Sequence, residues 1–129
     1  MNSKKLSELT QTPISTIRYY EKIGLVPPPN RKNNNYRDYG ENYITRIQLI
    51  NYLTNLNFKL NEIKSFLHDL ELGMIMKADI LLKLQAQSNH IQSQLEQLQE
   101  LQIQIESLTN EESINDDLIE TLKEWIRTN

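Results

Sequence analysis

The sequence predicts a mainly α-helical protein with a compact helical unit, one small hairpin, a long helix and a short terminal helix. Three observations lead there. Three glycines and four prolines in 129 residues leave little turn chemistry for a sheet-rich chain. Apolar residues recur at helical spacing along most of the length. Leu84, Ile91, Leu98 and Ile105 recur every seventh residue, and Leu81 and Leu95 lie three residues before two of them. That is the spacing of a coiled-coil seam.

The elements follow in order. Leu6 and Leu9 mark a short first helix after a Ser3 cap. Thr12-Pro13 reads as an N-cap followed by proline at the first helical position, where its missing N–H costs nothing. The second helix runs to about Ile23. Turn formers dominate residues 27–41, with Asn33-Asn34-Asn35 supplying left-handed positions and Tyr36 to Tyr39 a short strand. A hairpin is expected there. Ile44, Ile47, Ile50 and Leu53 stripe a third helix, ended by Asn57 in a left-handed conformation. Leu60, Ile63, Phe66, Leu67 and Leu70 stripe a fourth.

Gly73 punctuates, and the long helix is expected from about Met74 to Leu108. Ser88 and Gln102 interrupt its seam, a cost in stability that tunes register. Its eight glutamines between Gln85 and Gln104 look like low complexity, but the regular apolar spacing between them predicts an ordered helix. Ile114, Leu118, Ile119, Leu122, Trp125 and Ile126 mark a tail helix capped by Thr109 or Ser113. A bare stripe containing a tryptophan is costly, so this face is expected to pack on something.

Composition narrows the function classes. The chain has no cysteine, which removes disulfides, thiolate metal sites and a cysteine nucleophile together. The polar start MNSKKLSELT lacks the apolar region of a signal peptide. No apolar run approaches the roughly 20 residues of a membrane helix. The chain therefore reads as cytoplasmic, with no membrane contact. Residues 1–70 hold 10 Lys/Arg against 6 Asp/Glu, while residues 71–129 hold 4 against 11, so a +4 half precedes a −7 half. A basic module followed by an acidic one suits a phosphate partner despite the net charge of −3, because affinity follows local charge.

The stretch TIRYYEKIGLVPPP carries the sharpest signal. On a wheel of about 100° per residue, Ile17 and Tyr20 share one side. Ser15, Arg18, Tyr19 and Lys22 share the other. Gly24 at the left-handed end makes Tyr20 and Leu25 the contacting pair of a Schellman motif. Tyr20 is thus an anchor and Tyr19 a contact. A Ser/Arg/Tyr/Lys stripe on the second of two short helices is what a helix-turn-helix offers a major groove. Arg31, Lys32, Tyr36 and Arg37 add donors from the loop that follows, suited to backbone or minor-groove contact. A solvated charged face is the alternative for each taken singly.

These residues resemble the MerR family of bacterial transcription regulators. The resemblance rests on LSELT at 6–10, TIRYYEKIGL at 16–25, the proline-rich step, NYRDY at 35–39 and LNFKLNEIKSFL at 56–67. It implies a winged helix-turn-helix domain at 1–72, a long antiparallel coiled-coil dimerisation helix at 73–109 and a short C-terminal helix at 110–129. It further implies a homodimer on a palindromic operator inside a promoter, acting on RNA polymerase by bending and untwisting the DNA. Matched positions imply DNA contact by Thr16, Arg18 and Tyr19 from the recognition helix and by Tyr36 and Arg37 from the wing. Ser15, Lys22 and Arg31 join them from the wheel and charge, and Lys4 and Lys5 reach phosphates near the first helix. Leu81, Leu84, Ile91, Leu95, Leu98 and Ile105 are the expected dimer seam.

Three departures stand out: Gln11-Thr12-Pro13 replaces the usual Gly-Val-Ser turn, Asn34-Asn35 the usual Asn-Gly, and Asn57 a glycine. Asparagine tolerates the left-handed region, so the fold is expected to survive. Without cysteine, thiolate-based metal or redox sensing is not expected. His68, Met74, Met76 and His90 read as packing or surface residues, with no metal and no cofactor expected. The effector stays unnamed. The chain carries no paired carboxylates, placed nucleophile or phosphate-binding glycine loop, so an enzyme is not expected. The competing reading is a coiled-coil adaptor whose N-terminal module binds protein instead of DNA.

Overall fold

The computed structural model describes residues 1–109 and 116–129. They form two compact units, Met1–Lys77 and Ala78–Asn129. Ser113 and Ile114, expected to lead into the tail helix, lie outside the described residues.

The first unit comprises α1 (Ser3–Thr10), α2 (Ile14–Lys22), strands β1 (Asn30–Arg31) and β2 (Arg37–Asp38), α3 (Asn42–Asn55) and α4 (Leu60–Glu71). β1 and β2 pair antiparallel, Asn30 opposite Asp38 and Arg31 opposite Arg37. The expected strand from Tyr36 to Tyr39 is thus two residues long at its paired core. The core draws on every helix: Leu6 from α1, Ile17 and Tyr20 from α2, Tyr43, Ile47 and Ile50 from α3, and Ile63 and Leu67 from α4. Leu25, Val26 and Tyr39 complete it from the connections. Each fully buried aliphatic side chain contributes about 1.5–3 kcal/mol. Leu9 and Leu70, placed on apolar stripes by the sequence, are exposed.

All four helices end in the same way. At α2, Leu25 N–H bonds Tyr20 O at 2.8 Å and Gly24 N–H bonds Glu21 O at 3.2 Å, with Gly24 at φ +81°. This is the Schellman motif that Gly24 and the Tyr20/Leu25 pair predicted. The same paired bonds close α1 around Gln11 (φ 50°), α3 around Asn57 (φ 71°) and α4 around Gly73 (φ 68°). Gln11 therefore fills a left-handed position that costs a side-chain-bearing residue about 1–2 kcal/mol.

Helix starts differ from expectation by small shifts. Asn2, not Ser3, caps α1, its side chain accepting from Lys5 N–H at 2.8 Å. Both residue types cap well, so composition alone does not choose between neighbours. Pro13 occupies the cap of α2, its carbonyl accepting from Thr16 and Ile17. Thr12, expected as that cap, is buried and turns its hydroxyl inward to donate to Thr10 O at 2.9 Å.

In the second unit α5 runs over Lys77–Leu108, and its first residue belongs to the first unit. It starts three residues later than Met74, after the left-handed Gly73 and three residues without regular secondary structure. No residue of α5 is buried, and the seam leucines and isoleucines are exposed. α6 (Asp116–Thr128) places Asp116 and Asp117 in its first turn and Arg127 in its last, matching the helix dipole. Thr109 does not cap it. Its hydroxyl donates to Glu106 O at 2.7 Å, closing α5 instead. No described helix is long and apolar enough to cross a membrane.

Candidate nucleic-acid interface

The expected contact stripe of α2 forms because its opposite face is pinned. Ile17 is fully buried and Tyr20 is 6% exposed, whereas Tyr19 is 49% exposed. Ser15, Arg18 and Lys22 are exposed beside Tyr19, and Thr16 is half-buried at the edge. The tyrosines that adjoin in sequence therefore serve opposite faces. The Tyr20 hydroxyl is also occupied inside, donating to Asn51 Oδ1 at 3.1 Å. Burial raises its pKa.

The wing is built by its asparagines. Asn35 takes the left-handed position, and its N–H bonds Lys32 O at 2.8 Å while Lys32 N–H bonds Tyr36 O at 2.9 Å. Asn34 Oδ1 accepts from Tyr36 N–H at 3.2 Å. Arg31 Nη1 reaches across the loop to Asn35 O at 2.9 Å. Tyr36 is 70% exposed. The wing's base is held at the other end, where Tyr39 N–H bonds Met1 O at 2.7 Å and the Tyr39 ring meets Tyr43 edge-on at 5.1 Å.

Between α1, α2 and the wing lies an open groove of about 500 Å³. Its walls carry Lys4, Arg18, Arg31, Lys32 and Arg37 together with Tyr36, and no acidic residue lines it. Asn2, Ser3, Ile14, Asn34 and Asn35 complete the lining. The sequence pointed to Lys4, Arg18, Arg31, Tyr36 and Arg37 as contact residues and to Lys32 as a further donor, and the fold brings all six to one concavity. Lys5, Ser15, Thr16, Tyr19 and Lys22 do not line it. Five lining cations with no lining carboxylate suit an extended polyanion, with Arg37 already paired to Glu21 at 3.3 Å, and tyrosine and asparagine supply neutral donors between the charges.

Two features escaped the sequence. Glu21, embedded in the cationic helix, accepts from Arg37 Nε at 3.3 Å and also from the Tyr39 hydroxyl. Burial, then that hydrogen bond, raises the Tyr39 pKa. The only signal for this was an acid standing among the expected contact residues. Asn51 links Tyr20 to Thr12, its Nδ2 donating to Thr12 Oγ1 at 2.8 Å. No local pattern announced that bridge.

Comparison with known proteins identifies the family of the fold. Residues 1–70 match the family described as MerR HTH family regulatory protein. The chain is 47% identical over 55 residues to a ZntR homolog, an HTH-type transcriptional regulator of Haemophilus influenzae, covering 43% of this chain and 41% of that protein. It is 32% identical over 110 residues to the HTH-type transcriptional regulator HmrR of Rhizobium leguminosarum bv. viciae, covering 85% and 84%. In the first curated relatives, the match spans less than half of their length. The fold also matches HiNmlR, a MerR family regulator lacking the sensor domain and solved bound to promoter DNA, at 23% identity and TM-score 0.61 over 78% of this chain and 76% of that one. With the family match covering residues 1–70 and the HmrR alignment reaching through the long helix, the chain belongs to the MerR family of helix-turn-helix regulatory proteins.

Proposed function

We propose that the chain is a homodimeric DNA-binding transcription regulator that recognises a palindromic operator within a promoter. The observation that carries this is the acid-free groove where Lys4, Arg18, Arg31, Lys32 and Arg37 converge beside an exposed recognition helix. Residues 1–72 form the DNA-binding domain, 73–109 the dimerisation helix and 110–129 the tail. α2 enters the major groove, with Arg18 on guanine edges or phosphate and Ser15, Thr16, Tyr19 and Lys22 around it. Tyr36, Arg31 and Arg37 engage the flanking backbone or minor groove, and Lys4 and Lys5 hold phosphates beside α1. The exposed seam of α5, from Leu81 and Leu84 through Ile91, Leu95 and Leu98 to Ile105, pairs antiparallel with a second copy. The dimer distorts the promoter, so RNA polymerase reads the result as activation or repression. The protein works in the cytoplasm as a binding protein, not an enzyme.

Selection from a random duplex pool yields the operator, and fluorescence anisotropy then measures affinity. Arg18→Ala is expected to abolish specific binding with helicity unchanged. Salt-independent binding of a protein partner, with no duplex enriched, would instead favour the adaptor reading.

A further inference from the structure

We infer that Glu21 is a positioning residue that locks the wing to the recognition helix and so sets how both meet DNA. The inference rests on the DNA-binding function proposed above. Glu21 sits on α2, three residues after Arg18 and next to Lys22, on the element with the most direct role in contact. A carboxylate there repels phosphate, so simple electrostatics disfavours it. Its side chain is nonetheless only 10% exposed, and both of its oxygens are engaged. Oε2 takes Arg37 Nε at 3.3 Å and Oε1 takes the Tyr39 hydroxyl. Both partners belong to the wing's second strand or the residue just after it.

The two partners have different jobs. Tyr39 is 1% exposed and packs edge-on against Tyr43, so it ties Glu21 to the rigid core. Arg37 lines the cationic groove, so Glu21 also sets the direction from which that guanidinium is presented. The wing's own ladder is two residues long, and its other ties, Tyr39 N–H to Met1 O at 2.7 Å and the Met1 ammonium to Asp38 at 3.0 Å, run to the N-terminus and not to α2. A charge-assisted anchor to α2 supplies what the ladder lacks.

The sign of one substitution separates this from a bystander acid. If Glu21 only adds negative charge, Glu21→Ala tightens binding to the operator. If it positions the wing, Glu21→Ala weakens binding despite the more favourable charge. We expect full-length Glu21→Ala to lose about tenfold in operator affinity. Hydroxyl-radical footprinting should show the wing's phosphates deprotected and those along α2 still protected. Glu21→Gln keeps an acceptor for Tyr39 but loses the charge that holds Arg37, so it falls between wild type and Ala and guards against misfolding of the Ala variant. In an Arg37→Ala background, Glu21→Ala should lose less than it does in wild type, only the share carried by the Tyr39 bond, which a role independent of Arg37 does not produce. Unchanged or tighter binding by both Glu21 variants overturns the inference, as does an equal loss in the Arg37→Ala background. Absence of duplex binding by wild type, or Arg18→Ala binding like wild type, overturns the underlying function instead.

Discussion

Replacing Asn51 by alanine tests the polar bridge that seats the recognition helix. Asn51 donates to Thr12 Oγ1 at 2.8 Å and accepts from the Tyr20 hydroxyl at 3.1 Å. Thr12 and Tyr20 are 4% and 6% exposed, so water does not readily replace the lost partner. Thr12 keeps its own bond to Thr10 O, and losing the Asn51 donor there costs about 1 kcal/mol. The Tyr20 hydroxyl is stranded as a buried donor, at about 1–3 kcal/mol. Asn51→Ala should therefore cost about 2–4 kcal/mol in total. Hydrogen exchange of amides in α2 and α3 of the full chain reads this as an opening free energy. The decisive comparison adds Tyr20→Phe. In the native background it removes one good bond and destabilises by about 1 kcal/mol. In the Asn51→Ala background it removes a stranded group, so it should stabilise. If Tyr20→Phe destabilises equally in both backgrounds, the hydroxyl is not held by Asn51.

Three other outcomes follow from the same geometry. Gln11→Gly should stabilise by about 1 kcal/mol in thermal unfolding, because Gln11 is exposed and left-handed at φ 50°; a loss of stability refutes the strain. Burial raises the pKa of Tyr20, Tyr39 and Tyr43 above the ordinary 10.0. The folded state thus holds protons that the unfolded chain releases. That stability is fully present below about pH 10 and is lost as pH rises through the raised values. Urea midpoints should fall in step with a late tyrosinate signal at 295 nm, and a midpoint flat above pH 10 contradicts this. Ile91→Asp, at the middle of the exposed α5 seam, should give a monomer by sedimentation; an intact dimer would place the interface elsewhere.

Much of the fold was legible because its signals are local. Gly24, with Tyr20 and Leu25 at fixed offsets, predicted both the helix stop and the inward tyrosine. Helical period alone separated Ile17 and Tyr20 from Ser15, Arg18, Tyr19 and Lys22. The caps shifted by a residue because Asn2 and Ser3 are equivalent by type, and because Thr12 found a better use for its hydroxyl inside. What stayed hidden depends on distant partners. The Tyr20 hydroxyl finds Asn51 31 residues away, and Glu21 finds Tyr39 18 residues away. The groove was half legible for the same reason. Arg18, Lys32 and Tyr36 announced themselves by type, while Asn2 and Ile14 joined only once the wing folded back beside α1.

The most direct test of the groove as the DNA surface is the salt dependence of operator binding. Log affinity against log salt falls with a slope of about −0.9 per phosphate contact. Lys32→Ala removes one groove cation from each copy of the dimer, so the slope should become shallower by about 1.8. Lys123→Ala on α6, a residue that is not part of the groove lining, should leave it unchanged. An unchanged slope for Lys32→Ala, or an equal change for both variants, would contradict the assignment of this groove to DNA.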